Sequence, residues 1–165
     1  MRLRALILFL IAVTSRDIGF AQSAQPRYSL TISAVKTTVK AGSELRVKIV
    51  QENTTAKDQM FWIESVAGLH GEYLYLIDLL QLDGKKTPRS KYFREVRDEA
   101  DNFMPGTGGN GALIRKKPGE VIVSSIDLNE LYELRPGKYT VRVFQKDNID
   151  KVTVTSNIIT VTVTP

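Results

Sequence analysis

The sequence predicts an all-β fold: one antiparallel β-sandwich of about seven to eight strands. Three observations predict it. Apolar residues recur with a period of two, as in Tyr28, Leu30, Ile32 and again in Leu45, Val47, Ile49, which is the pattern of half-buried strands. Turn dipeptides separate such runs: Ala41-Gly42, Asp83-Gly84, Pro118-Gly119 and Pro136-Gly137. No long amphipathic helix pattern interrupts them, which argues against strands joined by crossover helices.

The 165 residues suggest one domain, preceded by a leader. Arg2 and Arg4 make a basic start, residues 5–13 are a short apolar run, and Gly19 and Ala21 are small residues before a cleavage point. These are the three parts of a secretory signal peptide. The apolar run falls short of the roughly 20 residues that cross a bilayer. The expected division is a signal peptide over 1–21, with Ala24 as an alternative cut, a polar lead-in over 22–27, and a sandwich over 28–165. Arg2, Arg4 and Arg16 against Asp17 account for two of the five net positive charges, leaving three on the mature chain. No Lys/Arg stripe marks one face, so nucleic acid is not an expected partner. The chain has no cysteine, which excludes thiolate metal sites, a thiol nucleophile and a lipid-modified cysteine. A secreted or periplasmic protein is expected, with no transmembrane segment after signal cleavage.

In chain order, Tyr28, Leu30 and Ile32 alternate with Ser29, Thr31 and Ser33 as a first strand, and Lys40 to Ser43 is a turn. Leu45, Val47 and Ile49 alternate with charged residues as a second strand. Residues 53–58 close it and Met60 to Ile63 open a third. Residues 72–82 are apolar on both faces. That suits a strand in a sheet interior, though periodicity alone also allows a helix; Asp83-Gly84, a hairpin turn signal, favours a strand. Residues 85–93 are the expected return arm, with Pro88 placing it at an edge. Residues 94–102 are charged enough for one helical turn, and 103–111 are glycine-rich; a loop of this length is usually functional or disordered. Residues 112–116 resume a strand, Pro118-Gly119 turns it, and 120–126 run back with Val121 and Val123 alternating. Residues 127–134 are a link with Asp127 as a helix cap. Tyr139, Val141 and Val143 share one face of the next strand, and Ile159, Val161 and Val163 one face of the last.

Leu134, Pro136, Gly137 and Tyr139 read as a structural corner, in which a tyrosine hydroxyl bonds back to the backbone ahead of a late strand. This makes the expected sandwich immunoglobulin-like. The wider run from Asp127 and Leu128 through Tyr132, Leu134, Pro136, Gly137, Tyr139 and Val141 resembles the small immunoglobulin-like domain that precedes the catalytic domain of deuterolysin-type secreted metalloproteases. Ala41-Gly42, Val47 to Val50, Asn53-Thr54 and Pro118-Gly119-Glu120 fit the same outline. They are also similar to the proteinase-inhibitor domain named for the intracellular inhibitor of bacilli. The resemblance spans about 28–165 and implies a fold more than an activity. The chain's export signal departs from the intracellular inhibitor, and it has no His-Glu-x-x-His.

No residue set points to catalysis. His70 is the one histidine, so paired zinc ligands are lacking, and it sits in an expected turn with no nucleophile beside it. Gly106, Gly108 and Gly111 match a dinucleotide fingerprint in spacing only, because a strand rather than a helix follows them. Asp98, Glu99, Asp101 and Asn102 offer oxygen ligands, but in no calcium-loop spacing and beside Arg94 and Arg97. No metal, no cofactor and no catalytic residue is expected. Asn53-Thr54-Thr55 is a glycosylation sequon, relevant in a eukaryotic source, and otherwise reads as a turn. Phe103 and Met104, apolar between charged and glycine-rich flanks, are the candidate partner contacts, and equally a plug that folds back onto the sandwich. The expectation is therefore a non-catalytic binding module that engages an unknown protein or cell-envelope component. The 94–111 loop is one candidate route; an exposed strand edge, such as that of 157–164, is the other. The alternatives are an inhibitor of an extracellular protease, a hydrolase using His70 with Asp78 or a serine, and a structural envelope protein.

Overall fold

The computed structural model describes residues 26–65, 75–95, 110–147 and 152–165. The all-β expectation holds. In chain order the strands are β1 (Tyr28–Ala34), β2 (Thr38–Lys40), β3 (Arg46–Asn53), β4 (Gln59–Ser65), β5 (Leu76–Gln81), β6 (Asn110–Lys116), β7 (Val121–Asp127), β8 (Gly137–Lys146), β9 (Thr153–Thr155) and β10 (Ile159–Thr164). One sheet has the order β1-β3-β7 and a second the order β2-β10-β8-β5, with β9 on β8; β4 and β6 form a separate pair.

Two expectations change here. The described residues hold ten strands, not seven or eight, and β2 pairs with β10 in parallel, so the second sheet is mixed. The cause is the same in both cases: an extended run breaks without a turn dipeptide. Residues 35–37 let the chain leave β3 and join β10. Residues 156–158 separate β9 from β10, yet both pair with β8. Without glycine or proline at the breaks, the alternation continues through them.

The core lies between the two larger sheets. Tyr28, Leu30, Ile32, Leu45, Val47 and Ile49 from one side meet Tyr139, Val141, Val143, Val161 and Val163 from the other, all buried. Each such side chain contributes about 1.5–3 kcal/mol on leaving water. The link after β7 forms the short helix Leu128–Leu131, whose two leucines fill the core. Asp127 caps it, accepting from the Asn129 amide at 3.0 Å, and the same oxygen accepts from the Leu45 amide at 2.9 Å. One carboxylate thus starts the helix and holds the entry to β3.

At the break after β9, side chains replace the ladder. Ser156 Oγ accepts from the Val143 amide at 2.9 Å. Asn157 accepts from the Ile32 amide at 2.8 Å and donates to the Ile32 carbonyl at 3.0 Å. Its carboxamide stands in for a strand residue against β1 and ties the two sheets together.

β5 closes its sheet at one end rather than lying in its interior. The Asp83-Gly84 turn forms, with Gly84 at φ +81° and its amide donating to Gln81 at 2.9 Å. The return arm over 85–93 is not a strand. It touches β5 at one bridge, Leu80 to Lys86, where the Thr87 amide donates to Leu79 at 3.0 Å and the Gln81 amide to Lys85 at 2.9 Å. Pro88 follows, and Ser90 then caps a helical turn at 91–95, its Oγ accepting from the Phe93 amide at 3.0 Å. The hydroxyl offers the chain a helical start where proline denies it a ladder donor.

Candidate functional site

Among the described residues, one unprotected feature is the outer edge of β7. Its phase is set at both ends: the Asn53 amide donates to Glu120 at 3.1 Å, and the Leu128 amide donates to Leu45 at 3.0 Å. With Val50 opposite Val123, residues 122, 124 and 126 exchange hydrogen bonds with β3. The amides and carbonyls of Val121, Val123 and Ser125 therefore point away from the sheet. No described residue bonds to them. Ile126 turns inward and is buried, and Ser124 faces inward, its hydroxyl donating to Tyr75 Oη at 3.3 Å. Val121 and Val123 lie on the opposite face, 43% and 54% exposed. From Val121 to Ile126 the strand carries no charge and no proline. Natural sheet edges are usually blunted by one or the other, because a bare edge templates another strand.

The terminal strand is not such an edge, since β10 lies between β2 and β8. The described residues also line concave surfaces. One of about 360 Å³ is lined by Val35, Lys36, Thr38, Lys40 and Arg46 among others. Another, about 510 Å³, lies between β1 and β9 and is lined by Tyr28, Leu30, Thr153 and Thr155 among others. In the first, the Arg46 guanidinium is held by Glu44.

Phe103 and Met104 lie outside the described residues, as do the leader, His70 and the 98–102 acidic cluster. Among the described residues no three of His, Cys, Asp or Glu gather as metal ligands. Leu134, Pro136, Gly137 and Tyr139 come together at the start of β8. The Tyr139 hydroxyl donates to the Arg135 carbonyl at 2.7 Å and accepts from the Arg135 amide at 3.0 Å. The Asn53 sequon is spent internally. Asn53 is 1% exposed, and its Nδ2 donates to the carbonyls of Lys57 and Lys116, both at 2.9 Å. A glycan has no room on that nitrogen in the folded chain.

The helical turn at 91–95 docks through aromatic contacts. Phe93 meets Tyr132 edge-on at 5.6 Å, with the Arg89 guanidinium 5.1 Å from the Phe93 ring centre. The Tyr132 hydroxyl donates to the Ile77 carbonyl at 3.0 Å. Burial pushes the Tyr132 phenol up from 10.0 to about 12; nearby Arg89 opposes this and Asp78 adds to it. Burial also raises Tyr28 and Tyr75. In the unfolded chain a tyrosine ionises near pH 10, whereas in the fold Tyr132 stays protonated to about 12. The unfolded state therefore loses its proton first, and this stabilising contribution, complete below pH 10, is lost as pH rises toward 12. A Tyr132→Phe variant is expected to show a shallower fall in stability between pH 10 and 12, by about 2–3 kcal/mol across the window. Denaturant melts at stepped alkaline pH check this, and an unchanged slope refutes it.

No known protein family matches the chain, and no curated protein aligns with it significantly.

Proposed function

We propose that the chain is a secreted or periplasmic, non-catalytic binding module. Its frame is an immunoglobulin-like sandwich, and it engages a protein or envelope partner by strand addition. Three features support the frame: the two-way hydrogen bond of Tyr139 with Arg135 at the head of β8, the facing sheets, and the resemblance carried by the run from Asp127 to Val141. Counting β1 with β2 and β9 with β10 as two interrupted strands gives eight runs, between the seven and the nine of the two immunoglobulin types.

The observation that carries the binding reading is the outer β7 edge, to which no described residue bonds. Outward amides and carbonyls at Val121, Val123 and Ser125 supply main-chain affinity, and the exposed valines supply side-chain contact, as in β-augmentation. The inhibitor alternative depends on the 94–111 loop, most of which lies outside the described residues, and nothing at the edge favours it.

The test is cross-linking of tagged mature protein in its native extracytoplasmic extract, with mass spectrometry of the captured species. Val123→Pro removes an outward donor and no ladder bond to β3, so the sheet is kept. Capture is expected to vanish with Val123→Pro and to survive deletion of residues 98–110. Capture that survives Val123→Pro and disappears with the deletion would move the site to the loop and overturn the edge reading.

A further inference from the structure

We propose that the strand received by β7 is the β7 of a second copy, paired antiparallel about a two-fold axis at Val123. This inference rests on the edge reading above and names the partner at that site. Antiparallel pairing exchanges hydrogen bonds between residues whose amides and carbonyls face each other. On β7 these are Val121, Val123 and Ser125. Centring the axis on Val123 sets Val123 against its own copy and each Val121 against the other copy's Ser125, so all three outward residues are paired.

The face of the sheet makes this register self-complementary. Across the existing ladder, Val50 lies beside Val123, Glu52 beside Val121 and Lys48 beside Ser125. In the paired sheet the middle row reads Val50, Val123, Val123, Val50 across the two copies. The rows above and below each run from Glu52 of one copy to Lys48 of the other. The central row is apolar across its four inner strands, and the charges of the flanking rows are opposite in sign. Those charges lie about three strand spacings apart, roughly 14 Å, so they orient the pair more than they bind it. No like charges face each other. The product is one six-stranded sheet, β1-β3-β7 continued through the copy. It satisfies the backbone groups to which no described residue of the single chain bonds, by the isologous contact usual in two-fold dimers.

Sedimentation velocity of the full mature chain over a concentration series tests it. The wild type is expected to dimerise, and Val123→Pro to weaken dimerisation about tenfold or more, one lost bond pair being worth about that factor. Val123→Lys leaves the backbone unaltered, changes an exposed side chain only, and is expected to weaken the dimer as much. Thr31→Lys, exposed on β1 of the same sheet, is expected to leave it intact. Because the native chain has no cysteine, a Val123→Cys variant is expected to give covalent dimers with a short bismaleimide, while Thr31→Cys does not. A wild type that stays monomeric, or a dimer indifferent to both Val123 substitutions, overturns the inference. If the chain is monomeric and Val123→Pro still abolishes capture from the extract, the second copy is refuted and the edge reading stands. If neither property responds to Val123, both fall.

Discussion

Replacing Asp147 by alanine is expected to lower the unfolding free energy by about 3 kcal/mol, read as an earlier denaturation midpoint with an unchanged m value. The reason is the bidentate pair it forms with Arg27, which joins the lead-in of β1 to the end of β8. Arg27 Nε donates to Oδ2 and Nη2 to Oδ1, both at 2.9 Å. The side chains are 14% and 2% exposed, so the charges have little water. Removing the carboxylate takes both of these charge-assisted bonds from a largely buried guanidinium, and that loss sets the size of the effect. The pair itself need not be strongly stabilising. An Arg27→Met, Asp147→Leu double variant is accordingly expected to return to within about 1 kcal/mol of the wild type. A loss of less than about 1 kcal/mol in the single variant would show that the pair behaves as an exposed one.

Asn53→Asp is expected to cost about 3 kcal/mol or more, although the side chain keeps its shape. The carboxamide is used at every atom. Nδ2 donates to the carbonyls of Lys57 and Lys116, and Oδ1 accepts from the Thr55 amide at 3.0 Å and its hydroxyl at 2.8 Å. In the aspartate an oxygen faces two carbonyl oxygens in a buried site, so two bonds become repulsions and a charge loses its hydration. Thermal and denaturant unfolding of Asn53→Asp beside Asn53→Ala separates the terms. Alanine deletes the bonds, and aspartate adds the repulsion. An aspartate variant as stable as wild type would remove Asn53 as the clamp between β3 and β6.

Both side chains show why some of this molecule is legible in the chain and some is not. Alternation at Tyr28, Leu30 and Ile32, or at Tyr139, Val141 and Val143, is visible because burial acts on every second residue of one strand. The Asp127 cap is visible because its partner amide is two residues away. Asn53 reads as a sequon in a turn, since its carbonyl partner on Lys116 is 63 residues distant. Asn157 is equally silent, with Ile32 lying 125 residues back. Val121, Ile122 and Val123 are apolar on both faces, so alternation cannot say whether the two valines or Ile122 meet water. Residues 85–93 carry strand-like hints, yet Pro88 and the Ser90 cap turn them into a bridge and a helical turn.

The sequence by itself determined the all-β class, the turn at Asp83-Gly84, and the inward faces of β1, β3, β8 and β10. Those follow from short-range sterics and from burial repeated along a single strand. Pro118-Gly119 also forms a turn, but β7 does not pair back on β6, since β6 pairs with β4 and β7 with β3. Tertiary structure alone decided that β2 joins β10 in parallel, that β10 lies between neighbours, and that β7 ends its sheet with Val121 and Val123 exposed. Strand order is a choice among partners distant in the chain. It is settled by which sheet face each strand can bury, and no local pattern encodes which edge is left bare.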